Sequence, residues 1–280
     1  MQQKDVTIII PHLGHTKEQV YALQHCLTSL LETCKCNIII AINGISDDSQ
    51  WTAIDPKNPR VSIVAIEKQG QCMAVNAAAA TVNTPWIFIT NDDMVYPDGW
   101  FEKLTTIDLQ YAEDVLCLSP KLVEPRPGAP TFDSYFCGGT GGDFNKVKFL
   151  EYAKMYFNTT PSELRTGFNF PLLIKKDLWD LVGGYDIEYD PWGSNSDSDL
   201  EYKIKLAGIQ PLQNPNCIVY HFSQTSGTFE PKHSDFWGKN WQYFIDKWGF
   251  PRTDQGIWEA SFEIPAENKF HPEWENKYRR

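Results

Sequence analysis

Val6 to Ile10 is an unbroken β-branched run, the pattern of a strand buried on both faces rather than one that alternates between core and solvent. It predicts a first strand that stops at Pro11, where the ring removes a ladder donor. Behind it Thr16 and Gln19 are spaced as a capping box, and Val20, Leu23, Leu27 and Leu30 recur at helical intervals. A helix from about residue 17 to 33 follows. Ile38 to Ile42 reads as a second buried strand ending at the turn pair Asn43-Gly44, and Val61 to Ile66 as a third. Gly70 to Val82 then reads as an Ala-rich helix and Trp86 to Thr90 as a fourth strand.

The later pattern is less regular. Glu124 to Pro130 is rich in proline and glycine and predicts a joint between two halves, 1–124 and 125–280, of one continuous domain. Gly138-Gly139-Thr140-Gly141-Gly142 reads as a mobile loop and lacks the Lys-Ser or Lys-Thr ending of a phosphate-binding loop. Phe170 to Ile174 predicts a strand and Lys176 to Val182 a helix, which the turn Gly183-Gly184-Tyr185-Asp186 ends. Asp197 to Ala207 predicts a helix stopped by Gly208, and Cys217 to Tyr220 a strand running into His221. Trp237, Trp241 and Trp248 stand at helical spacing and are assigned to packing.

Apolar strands alternating with helices imply an α/β fold, a mostly parallel Rossmann-like sheet with helices on both sides. In such sheets ligands bind beyond the carboxyl ends of the strands. The loops Pro11 to His15, Asn43 to Asp48 and Asn91 to Asp93 all leave such ends, so they should converge on one rim. Asn91-Asp92-Asp93 follows the buried run Trp86 to Ile89 directly. Carboxylate oxygens there are the hard ligands that Mg²⁺ or Mn²⁺ prefers, which makes a metal-dependent nucleotide enzyme the leading expectation.

Composition narrows the partners. With 42% hydrophobic and 22% charged residues, the 280-residue chain has ordinary globular usage and can bury a substantial core. A formal net charge of -11 argues against non-specific binding to nucleic acid or to an anionic membrane surface, since both need a basic face; peripheral membrane contact stays open for a lipid-linked acceptor. Seven scattered cysteines without paired C-x-x-C knuckles read as reduced thiols of a cytoplasmic protein. No apolar stretch reaches the roughly 20 residues of a membrane span, and residues 1–5 lack signal-peptide character.

The order of these signals resembles the inverting GT-A type glycosyltransferases of family 2, from about Val6 to about Gly249. The resemblance is carried by Ile8-Ile9-Ile10-Pro11, Asn43 to Asp48, Gly70 with Asn76, Asn91-Asp92-Asp93, Val182 to Asp186, Asp197-Ser198-Asp199-Leu200 and His221. It implies transfer of a sugar from a nucleotide diphosphate sugar, with UDP favoured, to a hydroxyl of a glycan or lipid-linked acceptor. It also implies a divalent cation, Mn²⁺ or Mg²⁺, held by Asp93 and by His221, a histidine that completes the metal site in some relatives. Pro11, Leu13, Asn43, Gly70, Asn91 and Asp92 would face the donor. Asp197 would be the general base, and Trp192, in a Gly/Ser/Asn loop, would meet the acceptor. Asn91 and Ser196 stand where the family carries an aspartate and a glutamate. They leave open the alternative of a catalytically inactive carbohydrate-binding module of the same fold.

Overall fold

The computed structural model describes residues 1–44, 54–55, 57–107, 115–126, 132–159, 162–167, 170–222 and 231–248. Ile45 to Asp48 of the second loop, Pro127 to Pro130 of the expected joint, and everything beyond Trp248 lie outside them. The first half follows the sequence pattern closely: β1 (Val6–His12), α1 (Lys17–Thr33), β2 (Asn37–Asn43), β3 (Val61–Ile66), α2 (Gln71–Ala80) and β4 (Trp86–Ile89). The Thr16 hydroxyl accepts from the Gln19 N–H while the Gln19 side chain accepts from the Thr16 N–H, so the capping box is closed. β1 pairs in parallel with β2 and β4, and β2 with β3.

The first strand does not stop at Pro11 but continues through His12. β4 accompanies β1 only as far as the Ile9–Ile89 pair, while Pro11 stands opposite Ala41 of β2. Beyond β4 the strand is paired on one side only, so a residue without an N–H is tolerated there.

The second half adds β5 (Met94–Val95), α3 (Trp100–Thr105), β6 (Cys117–Glu124), β7 (Phe132–Ser134), α4 (Lys146–Phe157), β8 (Arg165–Thr166), β9 (Leu172–Lys175), α5 (Lys176–Val182), α6 (Ser196–Leu206), β10 (Leu212–His221) and α7 (Ser234–Trp248). One sheet results, in the order β3-β2-β1-β4-β9-β6-β10-β5, with β7 on β6 and β8 on β10. It is parallel from β3 to β4 and mixed beyond, because β9 runs antiparallel to β4 and β6, and β5 and β8 antiparallel to β10. β6 and the first part of β10 escape a pattern reading because Pro120 and Pro215 interrupt them. The structure accommodates both at a register shift, where the pair Pro120–Asn214 is followed by Lys121–Ile218.

Glu124 is not part of a flexible joint. It ends β6 and is buried. The Gly138–Gly142 segment is also fixed: the Tyr220 hydroxyl donates to the Gly138 carbonyl and accepts from the Cys137 N–H, His25 Nε2 donates to the Gly141 carbonyl at 2.9 Å, and a Cβ on Gly141 would lie 3.0 Å from the α1 backbone. Leu23, Leu27 and Leu30 of α1 and Trp100 of α3 cover one sheet face, and Val75, Leu178, Leu200 and Phe244 the other. All seven cysteines are buried and free.

Candidate active site

Parallel strands end on the same edge of a sheet, and here β1, β2, β4, β6 and β10 deliver His12, Asn43, the Asn91–Asp93 loop, Glu124 and His221 to one rim. A cavity of about 810 Å³ opens there, toward the upper end of the usual range for ligand pockets. Of the residues expected to touch donor, acceptor or metal, Pro11, Leu13, Asn43, Asn91, Asp92, Asp93, Trp192, Asp197 and His221 all line it; Gly70 does not.

The short β5–β10 ladder sets the metal-ligand candidates side by side. His221 pairs with Met94, and the Phe222 N–H donates to the Asp93 carbonyl at 3.0 Å. Asp93 Oδ2 therefore lies 3.4 Å from His221 Nε2, while Asp93 Oδ1 is buried without a hydrogen-bond partner. Leaving a buried carboxylate oxygen unmet costs free energy, and a cation between Asp93 and His221 would meet it. An oxygen and an imidazole nitrogen suit Mn²⁺. Among the described residues no three His, Cys, Asp or Glu side chains form a complete cage, so further ligands would come from substrate oxygens and water.

On its other edge His221 Nδ1 lies 2.8 Å from Glu124 Oε1, and Arg126 Nε donates to Glu124 Oε2 at 3.2 Å. A carboxylate behind a ligating histidine fixes its ring and tautomer. Without a cation, burial opposes a charged His221, but Asp93 and Glu124 outweigh it and push its pKa up to about 10; a metal bound at Nε2 would displace that proton. Burial likewise works to raise the pKa of Glu124, yet His221 and Arg126 hold it below the ordinary value. Glu124 is a site residue that the sequence reading missed.

His12 also has a larger part than its backbone. It is buried, its Nδ1 lies 2.6 Å from Asp92 Oδ2, and its Nε2 has no partner. Burial raises the Asp92 pKa and His12 opposes the shift. Asp92 thus reaches the cavity partly through the imidazole it orients.

Asn43 has only one end of its amide to offer. Its Oδ1 accepts the Gly70 N–H at 2.6 Å, which leaves Nδ2 as a donor. The adjacent Gly44 has φ 86°, and a Cβ there would come within 2.9 Å of the Gln69 backbone, so glycine is required. Gly70 acts behind the wall: a Cβ would strike Asp190 Oδ2 at 2.6 Å, and Asp190 accepts the Cys72 and Met73 N–H groups at the start of α2.

Asp197 is the second residue of α6, and its Oδ1 accepts the Ser198 N–H at 2.9 Å. Asn195, which precedes the helix, is left-handed at φ 68°, a conformation unusual for a non-glycine residue and frequent at functional sites. Two turns of buried charge fix the helix behind it. Asp199 faces Lys247 at 2.8 Å and Lys203 at 3.5 Å, accepts from Trp248 Nε1 at 3.0 Å, and lies against the Tyr189 hydroxyl. Lys247 also reaches Asp186 at 2.7 Å. Burial lowers the Lys203 pKa to about 8 against the pull of Asp199.

The aromatic residues divide differently from expectation. Trp248 is core, packed on Tyr202 and Phe244. Trp237 and Trp241 instead line the cavity, as Trp192 does. The helical spacing is real, but α7 buries Asn240, Phe244, Lys247 and Trp248 and turns its Trp237 and Trp241 face to the opening.

Comparison with known proteins agrees with this architecture. The family model described as Glycosyl transferase family 2 matches residues 7–162. The comparison with curated proteins yields no match. Among solved structures, GalNAc-T7 with UDP, GalNAc and Mn²⁺ superposes with a TM-score of 0.55 at 14% identity, covering 77% of this chain and 42% of that one. The mannosyltransferase PcManGT from Pyrobaculum calidifontis, in complex with GDP-Man and Mn²⁺, gives a TM-score of 0.51 at 18% identity, covering 79% and 57%. The chain spans about half the length of these structures, and at such identities the likeness shows the GT-A fold. With more than half of the sequence inside the family model, the chain belongs to glycosyl transferase family 2.

Proposed function

We propose that the protein transfers a sugar, with inversion at the anomeric carbon, from a nucleoside diphosphate sugar to a hydroxyl of a glycan or glycolipid acceptor. The observation that carries this reading is the cavity itself, where Asn43, Asn91 to Asp93, His221 and Asp197, from distant parts of the chain, share one wall. UDP-sugar is the donor we favour. The Asn43 Nδ2 donates to a carbonyl of the base, and His12 Nε2 offers an acceptor to the nucleotide.

Asp93 and His221 would hold Mn²⁺ or Mg²⁺, which when bound supplies positive charge opposite the departing diphosphate. Asp197 accepts the proton of the acceptor hydroxyl as that oxygen attacks the anomeric carbon. The new C–O bond forms on the face opposite the leaving group, and the electrons of the broken bond depart with the diphosphate. The fixed start of α6 holds the carboxylate for this step. Seven buried free thiols support a reducing, cytoplasmic setting, and no helix among the described residues is long and apolar enough to cross a membrane.

A panel of nucleotide sugars, assayed for nucleoside diphosphate release with Mn²⁺, Mg²⁺ or EDTA, tests the reading. Metal-dependent release from one donor, lost in Asp93→Ala and Asp197→Asn, is the expected result. Sugar binding without release from any donor would replace it with a binding module.

A further inference from the structure

The lining of the cavity combines the polar group Asp92, Asp93, Glu124 and His221 with the aromatic group Trp192, Trp237 and Trp241. Trp237 and Trp241 are four residues apart on one face of α7, which sets them about 6 Å apart along the axis. Between them Gly238 also lines the cavity, and a Cβ there would meet nothing within 4 Å. Trp192 closes the wall, stacked on His233 with ring centroids 3.9 Å apart and 28° between planes.

This wall is rigid. From the flank of α7, Asn240 Nδ2 donates to the Tyr189 carbonyl at 2.9 Å and to Ser194 Oγ at 3.0 Å. One turn further on, the Tyr243 hydroxyl and the Lys247 ammonium both donate to Asp186 Oδ2 at 2.7 Å. Trp241 nevertheless keeps 37% of its surface exposed. A large apolar ring fixed from behind and left in solvent is a feature to be explained by what covers it.

Resting on the glycosyltransferase reading, we propose that Trp237, Gly238 and Trp241 form an acceptor platform for an uncharged oligosaccharide, whose terminal hydroxyl is delivered to Asp197. A pyranose ring has one face of C–H bonds that lies flat on an indole, while its hydroxyls point outward along the ring edge. Polar groups that match that edge line the same cavity: Gln71 and Ser196 flank Gly193, next to Trp192, and Ser194 and Asn195 follow it. Among the described residues the cavity sets Asp92, Asp93, Glu124 and Asp197 against Arg126, which disfavours an acidic glycan. The open space over Gly238 lets a ring settle between the two indoles, and spacing by one helical turn suits consecutive sugars along the helix.

The test is saturation-transfer NMR and tryptophan fluorescence on the wild-type chain, with neutral α- and β-linked di- to tetrasaccharides and with alkyl-phosphocholine micelles as the lipid arm. UDP with Mn²⁺ is titrated separately. Expected is saccharide binding that tightens from di- to tetrasaccharide and weakens at least tenfold in Trp241→Ala and in Gly238→Val. Trp241 is partly exposed, so both variants should keep the wild-type circular dichroism and melting temperature. Binding of micelles but no saccharide, or saccharide binding unchanged in both variants, overturns the platform. Failure of UDP with Mn²⁺ to bind while saccharides do would instead overturn the donor reading and leave the platform standing.

Discussion

Asp93 and Asp199 are both buried carboxylates near the same cavity, and their surroundings are opposite. Asp199 Oδ1 meets the Lys247 ammonium and accepts from Trp248, with Tyr189 alongside, and its Oδ2, though it makes no hydrogen bond, lies 3.5 Å from the Lys203 ammonium. Asp93 has one oxygen 3.4 Å from His221 and the other without a partner. The first carboxylate is surrounded by charges from its own chain and locks α6 to α7. The second is left short of donors at a cavity wall, the arrangement of a group whose partner arrives from outside. Buried charge of the first kind gives position, and of the second kind binding.

That contrast breaks most visibly through substitution. Asp197→Asn should lower sugar transfer about 10²–10⁴-fold, the usual range for a lost general base, with nucleotide binding retained, as read by calorimetric titration beside the activity assay. Asp199→Ala should cost about 3–5 kcal/mol of stability, because it takes the carboxylate from the buried Lys203 ammonium and one of two from Lys247, which keeps Asp186; denaturant melts would show it. Asp93→Ala should leave the melt near wild type or raise it, since few protein contacts are lost, while metal-supported nucleotide binding disappears. Equal destabilisation by the two alanine variants would erase the distinction.

Smaller effects sharpen it. Glu124→Gln keeps a hydrogen-bond acceptor for His221 but removes the charge, and should weaken Mn²⁺ binding about 10- to 100-fold without a matching loss of nucleotide affinity in EDTA. Tyr243→Phe removes one hydroxyl from Asp186 and should cost about 1.5 kcal/mol, visible in denaturant melts and absent from Mn²⁺ titrations.

The sequence exposed the first region far better than the second. The apolar strands β1 to β4 and the Thr16 cap follow from local rules, and Asp93 stands at the end of an obvious buried run. β6 and β10 are interrupted by Pro120 and Pro215, and only the tertiary register shift between them reconciles those prolines with a sheet. Glu124 was hidden by the same prolines and glycines that made its neighbourhood read as a joint. His12 was passed over because nothing local announces that its ring is oriented by Asp92, 80 residues away. Trp237, Trp241 and Trp248 show the limit of periodicity: it identifies a helix, but which face meets the core depends on where Asn240 and Lys247 find their partners.

The most direct test is a Mn²⁺ titration in the presence of UDP, followed by electron paramagnetic resonance, on wild type and Asp93→Ala. The account predicts saturable Mn²⁺ uptake by the wild type and none by a folded Asp93→Ala chain. Equal uptake by both would show that the unpartnered carboxylate is not the metal site, and the assignment of the cavity would fall with it.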